Sequence, residues 1–280
     1  MAHTADMFTL GGHFAGTEIH FNFASQNSQD FYAEQVRREG LAAYEAPTPS
    51  IIVAIVIDGA GVVLDIGAHT GLLTLLAAAA EPSTIVHAFE PLDKVRAALF
   101  ANISLNPALS NRIHVHDVAL SDSEGVVTFY ETINDMGFFP SSSSIELAHA
   151  QTIDHGVFRE QAVMATRLDC WAAANLGTER LKLLKIDVET HEHAVLRGGM
   201  KTLLTHRPMI ILEVLPSADT GQHNILLEKG YVAFAMMPDS LVHRQSVSFA
   251  GCENYLLCPD ERLLDVLRIA RSVGLGLRFG

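Results

Sequence analysis

Cysteine is scarce in this chain. There are three in 280 residues, Cys170, Cys252 and Cys258, and none form a C-x-x-C pair. That excludes a disulfide framework and a zinc ribbon, and it fits a reducing, cytoplasmic setting. Long hydrophobic runs are missing too. The longest, residues 51–57, falls far short of the roughly 20 residues a membrane helix needs. The opening stretch, MAHTADMFTLGGHF, carries an early acid and no apolar core, so it does not read as a secretory signal. Basic residues are outnumbered, 19 Lys plus Arg against 32 Asp plus Glu, for a net charge of −13. Such a chain repels phosphates, which speaks against nucleic acid as its partner. Charged residues are 18% and hydrophobic ones 49%, which excludes disorder as the main state.

What is present is an alternation of strands and helices. Residues 30–40 read as a short polar helix stopped by Gly40. Residues 51–57 are too short to type by pattern. Strands are expected at 62–66, 84–89, 112–118, 181–188, 209–215, 231–235 and 253–257, and helices at 72–80, 93–106, 191–204, 221–229 and 260–272. Residues 126–130 alternate and are expected to pair with 162–166 as an antiparallel insertion, around a Ser-rich loop at 134–144. The pattern implies an α/β fold, a mostly parallel sheet covered by helices on both faces. Residues 1–50 form either an arm packed on the main domain or a lid over a ligand, and residues 51–280 form the main domain. Ligands of such a sheet bind at the carboxyl ends of its strands, which directs attention to the loops after Ile66, Phe89, Val118, Ile186 and Leu212.

The first of these loops is Asp65-Ile66-Gly67-Ala68-His69-Thr70-Gly71. Its G-x-x-x-G lacks the middle glycine of a dinucleotide fingerprint, and Asp65 would repel a pyrophosphate. A cationic ligand suits it better. Glu90-Pro91 ends the next strand, 23 residues after Gly67, where a carboxylate can accept hydrogen bonds from both hydroxyls of a ribose. A ribose-bearing cation is therefore the ligand indicated, and S-adenosylmethionine fits. Asp117-Val118, closing the third strand, is placed to meet an adenine amino group or to stand as an exposed turn.

The second constellation is Lys185-Ile186-Asp187-Val188-Glu189-Thr190-His191-Glu192. Several titratable groups in one cleft can supply a general base. Asp187 has the position for it, His191 the side-chain type most often used for proton transfer, and Glu189 lies between them. The same three could instead ligate a metal, and Glu189 or Glu192 could simply cap the following helix. Glu213 ends an apolar strand at the same edge. Phe138-Phe139 and Met236-Met237 are either part of an acceptor pocket or packing. His114 and His116 share a strand face, but no third ligand has matching spacing, so no metal site is expected.

Taken together, the segments VVLDIGAHTG, HAFEPLDKVRAALFANISLN, VALSDSEGVVTFY, SSSSI, ATRLD, LKLLKIDVETHEHAVLRGG, RPMIILEVLP and GYVAF resemble the FkbM family of S-adenosylmethionine-dependent methyltransferases, in the family's order. The resemblance implies a Rossmann-like, seven-stranded sheet with an antiparallel last strand. It implies that Asp65, Gly67, Ala68, His69, Gly71, Glu90 and Pro91 line the cofactor, that Asp117 and Val118 approach adenine, and that Asp187 sits near the methionyl end or the acceptor. The acceptor implied is a hydroxyl on a small molecule, a sugar or natural product. Two positions depart from the family pattern: His69 stands where Asn is usual, and Thr190 where Gly is usual. Three rival readings stand beside this one: a nicotinamide oxidoreductase, a non-catalytic protein that keeps the fold, and a metal-assisted, catechol-type methyltransferase.

Overall fold

The computed structural model describes residues 6–26, 28–133, 139, 142–152, 157–249 and 254–279. Phe138, Cys252 and most of the Ser-rich loop lie outside the described residues. The strands are β1 (Met7–Phe14), β2 (Thr17–Ala24), β3 (Gly61–Ile66), β4 (Thr84–Phe89), β5 (Ile113–His116), β6 (Ala119–Ser121), β7 (Gly125–Thr132), β8 (Phe158–Arg167), β9 (Leu181–Ile186), β10 (Met209–Glu213), β11 (Tyr231–Met237), β12 (Ser240–Arg244), β13 (Asn254–Pro259) and β14 (Gly276–Arg278). The helices are α1 (Phe31–Glu39), α2 (Thr48–Val56), α3 (Leu72–Ala80), α4 (Asp93–Ser104), α5 (Pro107–Ser110), α6 (Leu147–Ala150), α7 (Leu168–Asn175), α8 (Glu192–Gly198), α9 (Met200–His206), α10 (Gly221–Glu228) and α11 (Leu263–Ser272).

The main sheet runs β14-β12-β11-β13-β10-β9-β3-β4-β5. Its seven core strands, from β5 to β11, match the Rossmann-like expectation. β3 pairs in parallel with both β4 and β9, and β13 runs antiparallel between β10 and β11. The full sheet has nine strands rather than seven, because β12 and β14 extend the edge beyond β11. The strand order reverses beside β3, and that is the switch point where such sheets open a crevice. Core strands are continuous apolar runs because both faces are covered: every residue of β9 is buried, Lys182 and Lys185 included.

Residues 51–57 belong to a helix, not a strand. α2 begins at Thr48 with Pro49 in its first turn, where proline is tolerated, and buries Ile51 through Val56. It joins α3, α11 and the β1–β2 hairpin on one sheet face. α7 to α10 cover the other, with Trp171 and Tyr231 in that core. The expected antiparallel insertion forms: β7 pairs with β8, and β8 also pairs in parallel with β6. The helix expected at 191–204 is broken at Gly199 into α8 and α9, where a Cβ would press on the Leu168 side chain. No helix among the described residues is long and apolar enough to cross a membrane.

Candidate active site

β3, β4, β9 and β10 release their chains at one sheet edge, and the loops there wall a cavity of about 1140 Å³, its open mouth included. Its wall mixes apolar side chains with buried carboxylates, as small-molecule sites do.

Two buried carboxylates define one end. Asp65 takes a hydrogen bond from Thr74 Oγ1 on its Oδ2 (2.6 Å), while its buried Oδ1 has no partner among the described residues. Burial pushes this carboxyl above the usual range, and Lys185 pulls it back. Glu90, one strand over, accepts the Leu92 N–H (2.9 Å) and the His69 N–H (3.1 Å) on its two oxygens. Burial outweighs those bonds and raises its pKa to about 7. Gly67 joins the two motifs: it takes φ +79°, and a Cβ there would lie 1.8 Å from the Asp187 carbonyl oxygen. No other residue type allows that approach.

Gly67, Ala68, His69, Pro91 and Val118 line the cavity together with Asp65 and Glu90. Gly71 and Asp117 are not on its wall. Gly71, at φ +93°, opens α3 against Leu99. Asp117 is exposed in the turn between β5 and β6, its side chain outward and Val118 inward.

The other end gathers Asp187, Glu189 and Glu213, whose ligand oxygens lie within 4.8 Å of one another. Lys185 answers them: its buried ammonium donates to Asp187 Oδ2 (2.8 Å) and the Gly67 carbonyl (3.3 Å). Burial works against that ammonium, yet Asp187, Asp65 and Glu45 hold it more firmly protonated than a free lysine. Burial, then the charges of Asp187, Glu189 and Glu45, raise Glu213 to about 11. Burial likewise raises Glu189, with His149 at 3.1 Å opposing. Glu189 and Thr190 both take left-handed backbone, φ +55° and +75°.

His191 also faces the cavity, but both its ring nitrogens are engaged, Nδ1 with Glu146 Oε1 (2.6 Å) and Nε2 with Ser121 Oγ (2.9 Å). Glu192 is not on the wall. It is buried, accepts the Val188 N–H (2.9 Å), and is raised to about 8 by that burial.

Sequence reasoning missed several wall residues. Tyr32, Ala33, Tyr44 and Glu45 arrive from the first 50 positions, and nothing in their spacing marks them. Lys185 did carry a signal, being one of two charges, with Lys182, inside an apolar strand. Phe139 lines none of the cavity's described wall but packs edge-on near His69, their ring centres 6.5 Å apart. Met236 is buried in the core on one face of the sheet, and Met237 packs against the core on the other. His114 and His116 do meet a third imidazole: His87 stacks on both, and its Nδ1 lies 2.9 Å from His116 Nε2.

Residues 65–245 match the model of the methyltransferase FkbM domain. The chain is 35% identical over 160 residues to the 31-O-demethyl-FK506 methyltransferase FkbM of Streptomyces tacrolimicus, covering 49% of this chain and 58% of that protein. It is 31% identical over 191 residues to the AMB antimetabolite synthetase AmbE of Pseudomonas aeruginosa, covering 59% of this chain and 9% of that one. The chain thus spans under two thirds of either curated relative. The solved methyltransferase FkbM of Methylobacillus flagellatus superposes with a TM-score of 0.42 at 14% identity, over 71% of this chain and 43% of that one. The matched segment starts at Asp65 and runs through Glu90, Asp187, Glu189 and Glu213, so it holds every carboxylate of the described cavity wall except Glu45, and the chain belongs to the FkbM methyltransferase family.

Proposed function

We propose that this protein transfers a methyl group from S-adenosylmethionine to a hydroxyl oxygen of a small molecule. The observation that carries the reading is the pair of buried carboxylates, Asp65 and Glu90, at the ends of adjacent parallel strands on one cavity wall. The residues fit the cofactor. Asp65 has a buried oxygen without a partner among the described residues, suited to a cationic group. Glu90 keeps acceptor capacity for a ribose after its two backbone bonds. Asp65, Glu90 and the backbone of residues 67–69 would hold it. No middle glycine offers a pyrophosphate seat, which disfavours the nicotinamide reading.

When bound, S-adenosylmethionine supplies a methyl carbon activated by the attached sulfonium. The protein's part is to hold the acceptor oxygen in line with it, a contribution of about 7–11 kcal/mol in ideal cases. The hydroxyl proton must leave as the new C–O bond forms. Asp187 and Glu189 both line the cavity and are the candidate bases. Burial lifts Glu189 toward the pKa range in which a general base works best. His191, bonded at both nitrogens, positions rather than abstracts. The name of the S. tacrolimicus relative, a methyltransferase for 31-O-demethyl-FK506, supports a small-molecule oxygen as acceptor.

Calorimetric titration with S-adenosylmethionine, repeated on Glu90→Ala, tests the reading. One site in the wild type, lost in the variant, followed by methyl transfer to an alcohol panel, is expected. No binding in the wild type would overturn it.

A further inference from the structure

A second group of side chains lies beside the acid trio and uses none of it. Glu146, His191 and His193 bring three ligand atoms within 4.8 Å of one another. The two histidines flank Glu192 at the start of α8, and Glu146 reaches them from just before α6, 45 positions earlier in sequence than His191. Glu146 Oε1 is 2.6 Å from His191 Nδ1 and 3.9 Å from His193 Nε2.

His193 already presents a ligating nitrogen, and His191 can present one by moving its proton across the ring. His193 Nδ1 lies 3.2 Å from the Thr190 carbonyl, which can only accept, so that nitrogen carries the proton and Nε2 keeps its lone pair. His191 Nε2 faces the Ser121 hydroxyl at 2.9 Å. A proton on Nε2 is accepted there, and Nδ1 is then free to ligate. Outer hydrogen bonds of this kind are what orient histidine ligands in known metal sites. A further imidazole stands close by. His223, on α10, is wholly buried, neither of its ring nitrogens reaches a well-formed hydrogen bond, and its charged neighbours are His193 and Asp219.

We propose that Glu146, His191 and His193 form a binding site for a divalent transition-metal ion, with zinc the best match, at the rim of the cavity. Two imidazoles and a carboxylate are a zinc donor set that leaves a fourth position open. Zinc ligands at about 2.0–2.2 Å from the ion stand about 3.3 Å apart, so the Glu146–His191 pair need open by less than about 1 Å. Glu146 is half-buried and stands just ahead of the single-turn α6, so it can make that shift. Ligation by Nδ1 moves the proton that it shares with Glu146 to Nε2, where the Ser121 hydroxyl accepts it, so the ring changes tautomer with no net proton release. The site is separate from Asp187, Glu189 and Glu213, and it holds whether or not the methyl-transfer reading does.

The test is titration of the full chain, stripped with chelator, with zinc chloride by calorimetry and with cobalt(II) chloride by visible absorption. One zinc per chain is expected, with cobalt bands of tetrahedral intensity. His193→Ala, His193→Gln and Glu146→Gln should each weaken zinc binding tenfold or more, while Glu213→Gln leaves it unchanged. Far-UV circular dichroism of each variant establishes that loss of binding is not loss of fold. Absence of zinc uptake by the wild type would overturn the proposal. So would unchanged affinity in both folded His193 variants, or an ion lost on Glu213→Gln instead.

Discussion

Lys185 and Asp187 form an ion pair at 2.8 Å, two residues apart at the end of β9. Lys185 is the one Lys or Arg among the described residues of the cavity wall, and it faces Asp65, Asp187, Glu45, Glu189 and Glu213. The site is a carboxylate cluster built around a single buried cation.

Removing that cation should be costly. Deleting one partner of a buried pair strands the other, typically at about 3–5 kcal/mol. Lys185→Met should therefore lower the melting temperature by about 10 °C, and adding Asp187→Asn should recover part of the loss. A single variant as stable as wild type would show that the pair contributes nothing.

Glu213 makes the chain's stability fall with rising pH. Its carboxyl ionises near 4.5 in an unfolded chain and near 11 in the folded one. Between those values the folded state holds a proton that the unfolded state releases, so stability declines as pH climbs. Glu213→Gln removes that term. Melting curves should place the variant above wild type at pH 8–9, with the gap closing toward pH 4.5. A pH-independent gap would contradict the assignment.

Glu90 and Asp117 should behave differently toward S-adenosylmethionine. Losing a hydrogen bond to a charged group costs about 1.5–3 kcal/mol, so Glu90→Gln should weaken affinity about 10- to 100-fold. Asp117 is exposed and off the cavity wall, and Asp117→Ala should shift affinity less than about threefold. Comparable losses in both would put Asp117 back at the adenine.

Thr190 carries a strain that glycine would not. Left-handed backbone costs an L-residue about 1–2 kcal/mol, and φ there is +75°. The extra freedom of an unfolded glycine takes back about 0.4–1 kcal/mol. Thr190→Gly should raise the melting temperature by about 1–3 °C; a drop would mean the buried Thr190 side chain packs for more than its strain.

The central strands and helices were legible because their burial is two-sided or periodic. The helix expected at 72–80 and the strand at 84–89 match α3 and β4 residue for residue. Residues 51–57 were not, since an apolar run buried on every side shows neither period; Pro49 was the usable clue. The β1–β2 hairpin went unread although Ile19, Phe21 and Phe23 alternate inward beside an Ala15-Gly16 turn. β12 and β14 were missed as short edge strands. At the site, Asp65, Glu90, Asp187 and Glu213 could be found from strand ends alone. Tyr44, Glu45 and Glu146 could not, because only the tertiary path of the chain brings them there.

The cavity's far wall has a practical meaning for anyone who would transplant this domain. Phe23, Tyr32, Ala33, Tyr44 and Glu45 line the cavity from upstream of the matched family segment, which itself begins inside β3. Asn102 stitches the two parts together, accepting the Ala24 N–H and donating to the Thr70 carbonyl, while Thr70 donates to Asp30. A graft cut at the family boundary would split a core strand and leave the cavity missing one side. The natural module for recombination starts ahead of the hairpin, at or before Met7.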